Sequence, residues 1–133
     1  MTFDHGEQPP RKKPSIRSAP RVGQVYYCDF QEDALLPEFW KQRPVVIVSG
    51  NATLHGIVTI VPLTTKSQPD NKLACPFPSV LKDGETSWAI CSHVTSVATS
   101  RLSLIKGKAP KVMNDDLQNI LRLVRTTIPA PKD

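Results

Sequence analysis

The chain has 133 residues and a mass of 14.7 kDa, which is enough for one domain around one compact core. Hydrophobic residues make up 39% and charged residues 22% of the sequence, so the composition excludes a wholly disordered protein. The formal net charge of +5 favours an anionic partner such as nucleic acid or an acidic peptide. The alternative is that part of this charge lies in a solvated tail.

The cysteines Cys28, Cys75 and Cys91 form neither a CxxC pair nor a zinc-binding pattern. An odd number of cysteines, with no secretory leader in the sequence, favours free thiols in a reducing cytoplasm. No apolar run approaches the roughly 18 residues of a membrane helix. We therefore expect a cytoplasmic protein without a membrane partner.

Residues 1–21 are predicted to form a disordered, basic, proline-rich arm. Four prolines disfavour helix, and the segment has almost nothing to bury. We expect a flexible terminus that the fold does not need, with an arm that grips nucleic acid as the alternative. One domain is predicted over residues 22–129, followed by a short tail at 130–133.

Runs of β-forming residues predict at least five short strands before the last quarter of the chain. The second run is an unbroken Val/Ile stretch, which implies burial on both faces of a sheet. The fourth is interrupted by two prolines and is therefore expected at a sheet edge. The predicted strands are residues 25–30, 43–49, 57–65 and 73–80, with one or two more within 87–97.

The loop after the first strand is unusually apolar, with Leu35, Leu36, Phe39 and Trp40 close together. Such a loop is expected to pack on the domain or to cover a site.

The end of the chain has helical rather than strand periodicity. Asn114 is a candidate cap, the acidic residues after it suit the positive end of a helix dipole, and apolar residues recur at spacings of three and four up to Ile128. Pro129 should stop the helix. The fold class predicted is mainly β with α: a small, strongly bent antiparallel barrel with one C-terminal amphipathic helix.

The sequence contains few of the residue patterns that common catalytic and metal sites require. The histidines lie far apart without flanking carboxylate pairs, so no metal site and no cofactor are expected. No phosphate-binding glycine loop is present, and no glycine pattern supports a Ser–His–Asp triad, although composition leaves a triad open. The remaining candidates, at strand ends or turns, are Arg43, Thr64, Thr65, Lys66 and His93.

Four sequence blocks resemble the MazF/PemK (Kid) family of toxins, in the family's order. The closing helix matches as well, so the resemblance covers about residues 23–128. Each block alone is common, but four at matching spacing are specific. The blocks are GQVYYCDF at 23–30, KQRPVVIVS at 41–49, VPLTTKS at 61–67, and WAICSHVTSV at 88–97 followed by Arg101-Leu102.

The resemblance implies an SH3-like barrel of the CcdB/MazF type, assembled as a homodimer. It implies the toxin of a type II toxin–antitoxin system, a metal-independent endoribonuclease that cuts single-stranded RNA at short motifs and so inhibits growth. The products would carry a 2′,3′-cyclic phosphate and a 5′-hydroxyl. Arg43 and Thr64 match the family's catalytic pair, while Ser92 stands where the family often has an acidic residue.

A guanidinium is a planar, bidentate partner for phosphate, and a threonine hydroxyl can add a hydrogen bond to the same oxygens. We expect Thr65, Lys66, His93 and Trp40 to contact RNA, Trp40 by stacking on a base. Each residue also has a structural interpretation. Arg43 could fix the loop through a carboxylate, the threonines could be ordinary strand residues, and His93 and Trp40 could serve packing.

A cognate antitoxin with an acidic, partly apolar tail is expected to cover Arg43. Two other functions stay open on the same fold. One is a CcdB-like poison of DNA gyrase, which the absence of a C-terminal aromatic residue disfavours. The other is a non-catalytic SH3-like nucleic-acid-binding module, which would bind RNA without cutting it.

Overall fold

A computed structural model describes residues 8–30 and 34–132 of the chain. This part contains seven β-strands, two 3-10 helices and one α-helix. The strands are β1 Val25–Asp29, β2 Gln42–Ile47, β3 Ile57–Thr64, β4 Ala74–Pro78, β5 Thr86–Ile90, β6 Thr95–Ala98 and β7 Leu102–Ser103. The 3-10 helices are Cys91–His93 and Thr99–Arg101, and the α-helix, α1, is Asn114–Arg125.

The strands form one antiparallel sheet in the order β4-β5-β3-β2-β1-β7, with β6 paired to β3 off this path. The longest strand, β3, pairs with β2 and β6 along its first part and with β5 at Leu63 and Thr64. This change of partner bends the sheet into a small barrel-like shape that does not close. The predicted fold class is therefore confirmed, and β4 lies at the sheet edge as its prolines indicated.

The sheet is apolar on both faces, and a hydrophobic cluster covers each one. In β2, Val46 belongs to the first cluster, whereas Val45 and Ile47 belong to the second. All three side chains are fully buried, which confirms the burial predicted on both faces. Burial of one such side chain stabilises the fold by about 1.5–3 kcal/mol.

Helix α1 packs on the first cluster through Leu117 and Ile120. Met113 occupies the N-cap, and its side chain makes no capping hydrogen bond. The helix therefore begins at Asn114, one residue earlier than it would if Asn114 were the cap. The prediction of Asn114 as the cap is wrong: Asn114 is the first residue of the helix, and its side-chain oxygen accepts a 3.4 Å hydrogen bond from the Gln118 side chain. The helix also ends at Arg125, short of the predicted end at residue 128.

The N-terminal segment differs from the prediction as well. Ile16 is only 4% exposed and lies in the second cluster, and Pro20 is buried. The Ser15 hydroxyl donates a 3.0 Å hydrogen bond to the Leu102 carbonyl. The expectation that residues 1–21 have almost nothing to bury is thus wrong for Ile16 and Pro20, while residues 1–7 lie outside the described part. Because α1 covers only the first face of the sheet, the second face needs another apolar cover, which Ile16 supplies.

Candidate functional site

Arg43 and Thr64 lie on one face and at one end of the β2–β3 ladder. The ladder's last pair is Val45 and Pro62. Arg43 lies two residues before Val45 and Thr64 lies two residues after Pro62. Because the strands are antiparallel, both positions are at the same end of the ladder. Side chains two apart on a strand share a face, so both candidates lie on the face of the second cluster. Antiparallel pairing thus brings a guanidinium and a hydroxyl, 21 positions apart in the sequence, to one edge.

Arg43 is half-buried and pairs across the β1–β2 ladder with Cys28, which is fully buried. Its Nε–H donates a 3.2 Å hydrogen bond to the carbonyl oxygen of Trp40. The loop is therefore tied to Arg43 through a backbone carbonyl. This bond uses the Nε–H of the guanidinium, and the terminal amino groups are further donors that can meet an anion.

Thr64 ends β3 and is held by the turn that follows it. The backbone N–H of Lys66 donates a 3.1 Å hydrogen bond to the Thr64 hydroxyl oxygen. Across the β3–β5 pair, Thr64 lies opposite the half-buried Trp88. Thr65 and Lys66 are exposed at this turn, where their side chains can contact a bound chain.

A cleft of about 430 Å³ opens beside this edge, with Pro62 of β3 in its wall. Of the predicted site residues, His93 lines the cleft, whereas Arg43, Thr64, Thr65, Lys66 and Trp40 lie outside its lining. The cleft combines aromatic, small polar and charged groups, which suits a ligand with a flat apolar part and a polar edge. The other lining residues are Phe30, Ala34, Glu38, Phe39, Val94, Thr95, Ser96, Val97, Ala98 and Arg101.

His93 connects the loop between β1 and β2 to the rest of the cleft. Its Nε2 lies 3.2 Å from the Pro37 carbonyl oxygen, and its Nδ1 lies 3.3 Å from the Ser92 hydroxyl. The ring of Phe39 packs edge-on against the imidazole at a centroid distance of 4.9 Å. The residue therefore has the structural role that its sequence context left open, while its position in the cleft also allows ligand contact.

The apolar loop packs only in part. Phe39 contacts His93, but Leu35 and Leu36 are 75% and 82% exposed. Trp40 is also exposed, and the Lys41 ammonium lies 4.0 Å from the centre of its ring. A base that stacks on Trp40 would therefore use the opposite ring face or displace Lys41.

Arg101 is a site residue that the sequence prediction missed. It lines the cleft, and its guanidinium donates a 3.0 Å hydrogen bond to the carbonyl oxygen of Asp29 in β1. Its positive charge also acts to lower the pKa of Cys28, although burial dominates and raises that pKa to about 12. The sequence signal for Arg101 was the Arg101-Leu102 pair that follows the fourth block, but no role was predicted for this arginine.

The thiols are poor candidates for chemistry. Burial raises the pKa of Cys91 to about 12, as it does that of Cys28, and it also raises the pKa of the half-buried Cys75. A thiol in its protonated form is a weak nucleophile. Residues 8–30 and 34–132 contain no group of three or more His, Cys, Asp and Glu side chains arranged to hold a metal ion. No helix in the same ranges is long and apolar enough to cross a membrane.

The fold and the site together define a small, barrel-like β protein with a C-terminal helix and a polar edge beside a cleft. The model of one family, the PemK-like, MazF-like toxins of type II toxin–antitoxin systems, matches residues 21–127. The chain belongs to this toxin family. Among curated proteins, none matches the sequence at a significant level.

Solved structures with the same fold include three toxins. An endoribonuclease in complex with its cognate antitoxin, from a mycobacterial species, is 24% identical with a TM-score of 0.61, and the match covers 85% of this chain and 100% of that one. MazF from Deinococcus radiodurans is 18% identical with a TM-score of 0.65, over 81% and 94%. The Mycobacterium tuberculosis toxin MazF-mt6 is 15% identical with a TM-score of 0.56, over 78% and 94%.

Proposed function

We propose that this toxin is a metal-independent endoribonuclease that cuts single-stranded RNA within short sequence motifs and thereby stops translation and growth. The observation that carries the proposal is the position of Arg43 and Thr64 on one face and at one end of the β2–β3 ladder. The family match supports the proposal, because Arg43 and Thr64 both lie in the matched region. In the sequence blocks that resemble the family, these two residues correspond to its catalytic pair.

The reaction uses the substrate's own nucleophile. The ribose 2′-oxygen attacks the adjacent phosphorus and loses its proton, the bond from phosphorus to the 5′-oxygen breaks, and that oxygen gains a proton. The products are a 2′,3′-cyclic phosphate and a 5′-hydroxyl. The enzyme's part is to align these atoms and to stabilise charge on the phosphoryl oxygens.

Arg43 and Thr64 have complementary parts in this step. The terminal amino groups of Arg43 bind the phosphoryl oxygens in a bidentate manner while its Nε stays on the Trp40 carbonyl. The Thr64 hydroxyl, whose oxygen accepts a hydrogen bond from the Lys66 amide, donates a hydrogen bond to the same oxygens. One such donor is worth about 2.7–4 kcal/mol in the transition state. The Arg43 guanidinium acts as a fixed positive charge, so water or another group carries the protons.

The cleft beside this edge accommodates a neighbouring nucleotide. His93 and Arg101 offer ring nitrogens and a guanidinium to a base or phosphate, and Phe39 offers an apolar ring. Thr65, Lys66 and Trp40 lie outside the cleft and contact the chain that continues from it. Ser92, exposed and next to His93, contributes to base preference.

We also propose a homodimer and an acidic antitoxin as partners. The mycobacterial endoribonuclease of the same fold was solved with its cognate antitoxin, and so was MazF from D. radiodurans with MazE. The exposed side chains of Leu35, Leu36 and Trp40, in the loop that is bonded to Arg43, provide a surface for an apolar anchor, and the basic side chains attract an acidic tail. Such a tail would exclude RNA by covering Arg43.

The test uses antitoxin-free protein, a long single-stranded RNA and EDTA, with the product ends mapped. We expect cleavage at a short motif that leaves cyclic phosphate and 5′-hydroxyl ends. A second RNA with one 2′-deoxy nucleotide on the 5′ side of the mapped cut should resist cleavage at that point only. Arg43→Ala protein, purified in the same way, controls for contaminating nucleases.

Three results contradict the proposal. Cleavage that stops in EDTA and returns with magnesium would show metal dependence, and cleavage at the 2′-deoxy nucleotide itself would exclude attack by the 2′-oxygen. RNA binding without any cleavage would favour a non-catalytic binding module.

A further inference from the structure

The basic charge of this protein is concentrated in one short segment. Residues 8–21 carry five basic and no acidic side chains, and all five are exposed: Arg11, Lys12, Lys13, Arg17 and Arg21. The remaining part, residues 22–133, is nearly balanced, with twelve basic and ten acidic side chains. The matched family region begins at residue 21, so all of this segment except Arg21 lies before it.

The segment is attached to the domain beside the cleft. Ile16 is buried in the second cluster, against which Phe30 and Val97 of the cleft wall also pack. The Ser15 hydroxyl bonds to the carbonyl of Leu102, the residue that follows Arg101 of the cleft. These contacts hold the middle of the segment on the face where Arg43 and Thr64 lie.

We propose that residues 8–17 form a docked arm that binds the phosphates of RNA beyond the cleft. The inference rests on the proposed endoribonuclease function and extends its binding surface. Lys13 lies two residues from the Ser15 anchor, a span of roughly 7 Å along an extended chain. Lysine and arginine side chains on a non-helical segment without aromatic residues suit phosphates rather than bases, so the arm adds affinity without sequence preference.

The anchor at Ile16 makes the arm more effective than a free tail. A tail that is already held on the domain loses less conformational freedom when RNA binds. The absence of acidic side chains from residues 8–21 leaves its cations without competing partners within the segment. Folding therefore anchors the arm at Ser15 and Ile16 before RNA binds.

The experiment compares two charge-matched triple variants of the full chain. Arg11→Gln/Lys12→Gln/Lys13→Gln removes cations from the arm. Its control removes three exposed cations from the C-terminal part of the chain: Arg122→Gln and Arg125→Gln in α1, which packs on the face of the sheet opposite Ile16, and Lys132→Gln in the tail. The ligand is a fluorescent 2′-O-methyl RNA of mixed sequence, which has no free 2′-hydroxyl to react, and the dissociation constant is measured over a range of salt concentrations.

The deciding quantity is the slope of the logarithm of the binding constant against the logarithm of the salt concentration. Each phosphate contact contributes about 0.7 to this slope for single strands, so the arm variant should lose about 2 and the control should lose little. Unchanged melting temperatures verify that both variants are folded. Equal slopes in both variants would overturn the inference even if RNA cleavage is intact. A variant that binds RNA normally but loses binding to polyglutamate would overturn it in favour of an acidic peptide. Wild-type protein that neither binds nor cuts RNA would refute the proposed function and the arm together.

Discussion

The backbone amide of Lys66 donates a hydrogen bond of 3.1 Å to the side-chain oxygen of Thr64. A hydroxyl that already accepts a hydrogen bond keeps its single proton for another partner. The turn after β3 therefore holds the Thr64 hydroxyl oxygen as an acceptor and leaves its proton available for donation to another partner. This is the role required of a group that stabilises developing negative charge on phosphate.

Thr64→Val should remove this donor while keeping the β-branched shape of the side chain. We expect the cleavage rate to fall about 10²–10³-fold, as with the loss of one donor to a transition-state oxyanion. Thr64→Ser keeps the hydroxyl and should retain most of the activity. Single-turnover cleavage of a defined RNA measures both. Equal rates for valine and wild type would remove Thr64 from the mechanism.

Arg43→Lys should also be severely impaired, although it keeps the positive charge. An ammonium is a point charge and cannot maintain a bond to the Trp40 carbonyl together with a two-pronged phosphate contact. Growth arrest on expression and cleavage in vitro are the readouts, with circular dichroism to verify the fold. The control is Arg122→Lys on the exposed side of α1, which should arrest growth like wild type. Full activity of the Arg43→Lys variant would show that catalysis needs only a positive charge at position 43.

His93→Phe should loosen the loop between β1 and β2. The substitution keeps a ring to pack against Phe39 but loses the polar contacts with Pro37 and Ser92. We expect faster amide hydrogen exchange within residues 34–40 and weaker RNA binding, with the melting temperature almost unchanged. Ser92→Ala provides the comparison, because it leaves the Pro37 contact in place. Exchange in this loop that matches wild type would show that His93 does not anchor it.

The thiols should differ in reactivity. Burial raises the pKa of Cys28 and Cys91 to about 12, so near pH 8 only about one in ten thousand of these groups is a thiolate. Cys75 is half-buried, and alkylation of the native protein should modify it first. Mass spectrometry of iodoacetamide-treated protein tests this, with all three modified in denaturant. Preferential modification of Cys28 or Cys91 would contradict the structure.

The same pKa shifts predict the effect of alkaline pH on stability. The pKa values of Cys28 and Cys91 are raised in the folded state, so the unfolded thiols ionise first as pH increases from about 9. The free energy of unfolding should therefore fall between about pH 9 and 12. A double Cys→Ala variant should lose less stability over this range in urea titrations. An equal loss in both proteins would assign the effect to other groups.

Ile16→Ala should destabilise the domain, although residue 16 precedes the matched family region. The side chain is 4% exposed within the second cluster, and truncation of a buried isoleucine to alanine typically costs about 2–5 kcal/mol. Arg17→Ala, at an exposed position, should change stability by less than about 0.5 kcal/mol. Urea unfolding compares the two. Equal stabilities would restore the interpretation of a dispensable arm.

Local patterns alone determined most of the fold. The Val/Ile run of β2 indicated burial on two faces because no polar residue interrupts it, and the apolar spacing of α1 located the helix because its period is intrinsic to the backbone. Helix ends were less predictable. The N-cap at Met113 and the end at Arg125 depend on where packing on the sheet ceases, which residue types alone do not specify.

Sequence blocks also selected Arg43 and Thr64 as candidates, but only the tertiary structure decided which neighbours they have. Strand pairing over 21 positions brings them to one edge, and the cleft beside it includes Arg101, 37 residues beyond Thr64 in the sequence. The same holds for Ile16, one apolar residue in a polar, proline-rich segment. Its burial depends on an open apolar sheet face formed by distant strands, and no pattern within its own segment encodes that face.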